Sequence, residues 1–303
     1  MHLLLGDPED VCCREVRDEL ATRGFATHVI SNPLAHPSHF SWCFDSEESK
    51  SSLVWDGQEL VRDVDIAGVF VQSAGSIDPA GWQSSDLMYA HAETQAALLS
   101  WLWSLACPVV NRYPPAVWYR PRAPLVSWYG LLRRSGLSTL DTLVTNVEHE
   151  ARAFGKQLAE ENLPGAVCGA LTSDTRYLVG SEEDWRGLAA LQRVSPVYLL
   201  APHAETLPVC VVGNRVVWDE TPSPELAALE PALFAFAAAA GLAFVELTLA
   251  ASSGRVCVVS VETRPLLNHF GEAPRRLIVD EIVRLLTADQ RARYGPRSNG
   301  GLP

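Results

Sequence analysis

The run Ile66-Ala67-Gly68-Val69-Phe70-Val71-Gln72 constrains this chain more than any other stretch. It is almost continuously apolar and only strand-length. Such a run suits a strand covered on both faces, as in a sheet flanked by helices. What surrounds it fits. His2–Leu5 is a short apolar run. Asp7-Pro8-Glu9-Asp10 opens a predicted helix to about Arg23, with Gly24 behind it. A strand is expected over Phe25–Ile30, a hairpin or meander over Phe40–Phe44 and Leu53–Trp55, and a long helix over Asp86–Ala106. In that helix Leu87, Ala90, Thr94, Ala97, Trp101 and Leu105 recur along one face. Pro108–Asn111 closes the unit as a strand. Residues 1–112 therefore read as an open α/β domain.

The remainder divides at a proline-rich linker, Tyr113-Pro114-Pro115 and Pro121–Pro124. Residues 113–206 hold helices at Ser127–Ser135, Glu148–Glu161 and Glu182–Leu191. Strands are expected at Leu140–Val144, Ala166–Leu171, Arg176–Val179 and Val197–Leu200. Residues 207–290 begin with a hairpin, Pro208–Val212 and Arg215–Trp218 around Gly213-Asn214. Ser223 and Pro224 start a helix that runs to Ala240, with a kink expected at Pro231. A strand pair at Ala243–Ala250 and Arg255–Val261 and a helix at Arg275–Leu286 follow. Residues 291–303 read as a disordered tail. The fold class is α/β: an N-terminal open α/β domain, then two α+β subdomains flanking a cleft.

Charge excludes some functions. The chain has 303 residues and a formal net charge of −12, so a broad grip on nucleic acid or anionic lipid is not expected. Seven scattered cysteines include no Cys-x-x-Cys pair, which points to reduced thiols and a cytoplasmic protein. MHLLLGDPED reads as neither a signal peptide nor a membrane anchor, and no apolar stretch is long enough to span a bilayer. There is no Gly-x-Ser-x-Gly elbow and no glycine-rich phosphate loop.

Four strings carry a resemblance. Val109-Val110-Asn111-Arg112 resembles a V-N-P-P junction. Gly136 to Asn146 (GLSTLDTLVTN) resembles G-L-x-V-P-x-T-L-V-T-N. Val211-Val212-Gly213-Asn214 resembles a V-V-G-D hairpin. Val258 to Pro265 (VVSVETRP) resembles V-L-E-V-N-x-R-P. Together, in this order, they are similar to the ATP-grasp ligases. The branch is the one that joins a carboxylate to an amine on glutamate or peptide substrates, including ribosomal-peptide macrocyclases. The likeness covers about residues 60–285.

The resemblance implies two lysines on the ATP phosphates, an arginine on the later hairpin, and Asp, Glu and Asn ligands for magnesium. Each acts by neutralising charge. This chain departs at nearly every position. It has two lysines, Lys50 and Lys156, and neither falls where one is needed. Arg122 is the one cation near the first lysine position. Cys168 or Gly169 stands at the second, Pro208 at the hairpin arginine, and Leu199-Leu200-Ala201-Pro202 at the adenine hinge. Thr248, Ser260 and Glu262 stand at the ligand positions, with Glu246 two residues before Thr248. The expectation is a fold that keeps its shape without its ATP and metal chemistry. It would use no cofactor, and its cleft would be lined by Cys168, Ala170, Ala201 and Pro208.

Several residues carry two readings. Glu246 and Glu262 lie on paired strands, as a residual magnesium site or as partners of Arg255 or Arg264. Arg112, Arg120 and Arg122 either grip an anion or join domains by ion pairs. The tryptophans and tyrosines around Trp118 are either core or a docking surface. Of Cys12 and Cys13, one is expected buried and one semi-exposed. His36, His39, His203 and Cys43 fit no metal spacing.

The leading expectation is a non-catalytic protein that binds a peptide, small ligand or partner enzyme through Arg112, Trp118, Arg120 and Arg122. A homodimer is compatible with it. The rival is an active carboxylate–amine ligase that uses ATP and magnesium, with Arg122, Glu246 and Glu262 as catalytic groups and Glu246 and Glu262 as metal ligands.

Overall fold

The structure is a computed structural model. It describes residues 1–32, 39–44, 49–55, 58–62, 65–73, 75–120, 123–161, 163–171, 176–203, 205–252 and 255–288. Of 39–44, 49–55, 58–62, 170 and 252 it describes the backbone only. Arg122 and the expected tail therefore lie outside the described residues, as do the side chains of His36, His39 and Cys43. The chain packs as two compact units. One holds 1–115, 242–244 and 264 onward, and the other 116–241 and 245–263.

The first unit opens with His2–Leu5 (β1), Val11–Thr22 (α1) and Thr27–Ile30 (β2). The helix starts later than its acidic string suggests. Asp10 is the N-cap and accepts a hydrogen bond from the Cys13 amide at 2.9 Å, so Asp7-Pro8-Glu9 precedes the first turn. Cys12 and Cys13 are both fully buried, which corrects the expected split. The helix packs on β2 on one side and on the chain's last helix on another, so two adjacent positions can both be covered. His39–Phe44 (β3), Ser49–Trp55 (β4) and Gln58–Arg62 (β5) form an antiparallel meander. Its third strand, QELVR, gave no apolar signal.

Gly68–Val71 (β6) is the apolar run, buried at every position. Ser84–Ser104 (α2) follows, then Val109–Val110 (β7). The strands form a parallel sheet in the order β2-β1-β6-β7. The core stripe of α2 is shorter than its periodicity suggests. Leu98, Leu99, Trp101 and Leu102 are buried, while Met88 and Tyr89 near its start are exposed. Asn111 is buried just past β7. Its Oδ1 accepts from the amides of Ala243 and Phe244 at 2.8 and 2.7 Å, and its Nδ2 donates to the Phe244 carbonyl at 2.5 Å. That stitch fixes 242–244 in this unit.

The second unit runs through Pro115–Trp118 (α3), a 3-10 turn at Leu125–Trp128, Tyr129–Arg134 (α4), Ser138–Thr139 (β8) and Thr142–Thr145 (β9). Glu148–Glu160 (α5), Ala166–Ala170 (β10), Arg176–Val179 (β11), Glu182–Gln192 (α6) and Val197–Leu200 (β12) follow. A capping box between Ser181 and Asp184 starts α6. Thr206–Val212 (β13) and Arg215–Trp218 (β14) form the expected hairpin, with Gly213 at φ +56°. Next come Pro224–Ala227 (α7), Glu230–Ala240 (α8), Phe244–Ser252 (β15) and Arg255–Glu262 (β16). Pro231 does not kink one helix. It sits in the first turn of a second, where its missing N–H costs nothing. Two sheets result, β11-β10-β12-β9 and β14-β13-β15-β16-β8.

Glu272–Thr287 (α9) returns to the first unit, although the sequence grouped it with residues 207–290. It packs on α1, β6 and β7, with Arg275 on Glu15 at 3.2 Å and Arg23 on Asp280 at 2.6 Å. Among the described residues no helix is long and apolar enough to cross a membrane.

Candidate functional site

The site is a cleft of about 370 Å³ in the second unit, lined by Leu125, Arg176, Tyr198, Ser260, Val261 and Glu262 among others. Strand parity decides what faces it. On β10, Cys168 packs with Ala151, Leu158 and Leu188 of the helices, together with Ala201. Gly169 therefore turns to the opposite face. This corrects the expectation that Cys168 and Ala201 line the cleft; both are core. Burial pushes the Cys168 thiol up to about 11, so it stays protonated and unreactive.

Gly169 is flanked in register by Arg176 on β11 and by Tyr198 on β12. A Cβ at position 169 would collide with Cζ and Oη of Tyr198. The tyrosine ring thus lies over the glycine, in the space a side chain from that position would enter. Beside it, Arg176 Nη1 donates to the carbonyl oxygen of Val259 on β16 at 3.3 Å, which ties one sheet to the other. Arg176 is otherwise exposed, and its remaining N–H donors have no partner among the described residues.

Other polar groups stand close by. The hydroxyls of Tyr129 and Thr142 hydrogen bond to each other, and burial raises the Tyr129 pKa. His203 is held below its usual range, first by burial and then by the positive charge of Arg176. Its Nδ1 is buried with no hydrogen-bond partner among the described residues. It is a neutral imidazole near a fixed cation.

On the other sheet, β15 and β16 pair Glu246 with Glu262 and Thr248 with Ser260. The register brings the two glutamates together, as expected. Glu246 is buried, and its charge adds to burial in raising the Cys210 thiol. Glu262 is half-buried and lines the cleft. Arg255 pairs with Asp141 at 3.7 Å. Among the described residues no group of three or more His, Cys, Asp or Glu gathers to hold a metal ion.

Of the expected binding cluster, Trp118 and Arg112 are taken up by the fold. Trp118 is 1% exposed, too deep to dock a partner. Arg112 is a helix cap. Its Nη1 donates to the Trp103 carbonyl at 2.8 Å, its Nη2 to those of Leu105 and Cys107 at 2.9 and 3.1 Å, and its guanidinium lies over the Trp103 ring at 5.9 Å. Among the described members of the cluster, Arg120 is exposed as expected, next to exposed Tyr119. Sequence reading missed Arg176 and Tyr198. The signal was present, because pairing Ala166–Leu171 with Arg176–Val179 sets Gly169 near Arg176.

No family model matches the sequence, and no curated protein matches it. Solved structures do. The macrocyclase MdnC bound with precursor peptide MdnA, from Microcystis aeruginosa MRC, superposes with a TM-score of 0.73 at 15% identity, over 93% of this chain and 99% of that one. A Chryseobacterium gregarium RiPP-associated ATP-grasp ligase, in complex with ADP and a leader and core peptide, gives 0.71 at 16%, over 99% of both chains. A RimK domain protein ATP-grasp from Sphaerobacter thermophilus gives 0.56 at 16%, over 95% and 98%. The fold is the ATP-grasp fold. Among the described lining residues one guanidinium and one carboxylate are charged, and Tyr198 fills the space above Gly169.

Proposed function

We propose that this chain is a non-catalytic, cytoplasmic ATP-grasp-fold protein that binds a peptide, small ligand or partner enzyme in peptide modification or biosynthesis, without nucleotide or magnesium. The observation that carries this reading is the Tyr198 ring over Gly169, at the position where the resemblance calls for a phosphate-binding lysine. Among the described residues a triphosphate there would meet an aromatic ring and a single cation, and unpaired phosphate charge is costly to desolvate. The peptide-bound ATP-grasp neighbours support a peptide as the ligand. The test is a titration of the protein with ATP and magnesium, followed by heat and by thermal shift. The expected result is no binding tighter than about 1 mM. A stabilisation of several degrees overturns the reading, because a ligand held by the native state raises its melting temperature.

One observation favours the rival ligase. Arg176 brings a cation into the cleft from the strand next to Gly169. In that reading Arg122, Glu246 and Glu262 serve the reaction, wild-type protein releases ADP with its substrate, and Glu262→Gln abolishes release without unfolding the chain.

A further inference from the structure

We propose that α2 pairs, through its outward face, with the same face of a second copy of this chain, antiparallel about a twofold axis at Ala96. The inference stands apart from the reading above, because it holds whether or not the cleft takes a nucleotide.

The outward face of α2 is apolar for a helix in water. Met88 is 71% exposed, Tyr89 70% and Trp103 51%. Asp86 and Glu93 are the only Asp, Glu, Lys or Arg among its 21 residues. Its polar groups are already bonded within the chain. The Thr94 and Ser100 hydroxyls donate to the carbonyls of Ala90 and Ala96 at 2.7 and 2.8 Å, and Trp103 Nε1 donates to the Tyr113 carbonyl at 3.1 Å. Covering this face therefore strands none of these donors. Large exposed apolar side chains grouped on one face mark an interaction surface.

The spacing selects the occupant. Tyr89, Ala92, Ala96, Ser100 and Trp103 follow one another at steps of three, four, four and three residues, which keeps them in one stripe along the helix. The stripe reads the same from either end: an aromatic residue, three small ones and an aromatic residue, with Ala96 at the centre. A twofold interface sets one patch against itself. In an antiparallel pair centred on Ala96, Tyr89 of each copy meets Trp103 of the other, about 10 Å from the axis at 1.5 Å per residue. Ala92 meets Ser100, so the two backbones can approach closely at the centre.

Charge agrees with that register. Asp86 falls opposite position 106 of the second copy, beside Arg112, whose guanidinium holds the carbonyls of Trp103, Leu105 and Cys107. The two copies of Glu93 come from positions about 9 Å apart along the axis, about one Debye length. A parallel pair would instead set Asp86 on Asp86 and Glu93 on Glu93. Size sets the strength. The helix is about 31 Å long and about 10 Å across, a footprint of roughly 300 Å² per copy. Stable complexes use about 800 Å² per partner, so the pairing is weak and depends on concentration.

The test is sedimentation velocity of the full chain from about 1 to about 200 µM. The expected result is a monomer–dimer equilibrium with a dissociation constant of about 10–100 µM. Ala96→Glu should weaken it at least about tenfold, because it sets two like charges at the axis. Tyr89→Ser should weaken it several-fold, and an unchanged circular dichroism spectrum in both variants separates lost pairing from lost fold. Under mild oxidation Ala96→Cys should form a covalent dimer, and a mixture of Ala92→Cys and Ser100→Cys should cross-link more than either alone. A chain that stays monomeric to about 200 µM overturns the proposal, as does dimerisation unchanged in both Ala96→Glu and Tyr89→Ser. Cross-linking no greater in Ala96→Cys than in wild type also overturns it.

Discussion

Arg112 and Arg176 stand one in each unit, and they are used in opposite ways. Arg112 is half-buried, bonds three carbonyls at the end of α2 and lies over Trp103. Arg176 is exposed and makes one long bond to a carbonyl on the facing sheet. The first has been absorbed into the fold. The second keeps most of its donors for something else. Proximity in sequence to other arginines singled out Arg112, and it was the wrong criterion. What separates the two is whether backbone carbonyls without helical partners lie within reach. The end of a helix always supplies such carbonyls, whereas Arg176, on the edge strand β11, reaches one only on the other sheet.

The contrast can be broken by substitution. The largest loss is expected beside Arg112 in sequence, at Trp118, which the sequence placed in the same cluster. Trp118→Ala should cost about 3–5 kcal/mol by leaving a cavity in the core. Arg112→Ala should cost about 1–2 kcal/mol, because its carbonyls are partly reachable by water. Arg176→Ala should stay within about 0.5 kcal/mol of wild type, as at other exposed positions. Urea unfolding midpoints measure all three. A loss at Arg176 as large as that at Arg112 would mean that its bond to Val259 is structural, and the distinction would collapse.

A smaller effect sharpens the contrast through histidine. His2 in the first unit is held low mainly by burial, with the neighbouring N-terminal charge acting the same way. His203 in the second is held low by burial and Arg176. In both, the neutral form belongs to the folded state. Their contribution is fully present above the unfolded value of about 6.5 and is lost as pH falls through the depressed folded values. Stability should therefore drop between pH 7 and pH 5. The slope should be shallower in His2→Phe than in wild type. In Arg176→Ala the His203 pKa should rise while that of His2 stays put, read by NMR titration of the imidazole signals. If His203 does not move, the electrostatic link to Arg176 is absent.

Most of the fold was legible because periodicity reports burial. The run around Gly68–Val71 and the strands β10, β12 and β13 announced themselves through apolar side chains. β5 did not, because QELVR holds only two apolar residues, adjacent rather than alternating, among five. The resemblance was read over about residues 60–285, yet the structural likeness extends over nearly the whole chain. The site was legible only in part. The absence of lysine could be read directly, whereas the alignment alone left Cys168 and Gly169 as alternatives. Deciding between them requires knowing which face of β10 meets α5 and α6. That is a tertiary fact, and Arg176 and Tyr198 gain their meaning only after it is settled.

The placement of α9 has a consequence for how the protein is made. The first unit is assembled from the opening 115 residues and from a segment beginning at 264, with Asn111 waiting for 242–244. On the ribosome β6 and β7 emerge before the second unit, but the helix that covers them is translated only after it. The nested second unit is fully synthesised before its host can close. Until then the apolar strands β6 and β7 are a target for chaperones and proteases. Premature termination before residue 272 should therefore yield a product that is cleared rather than a shortened, working protein.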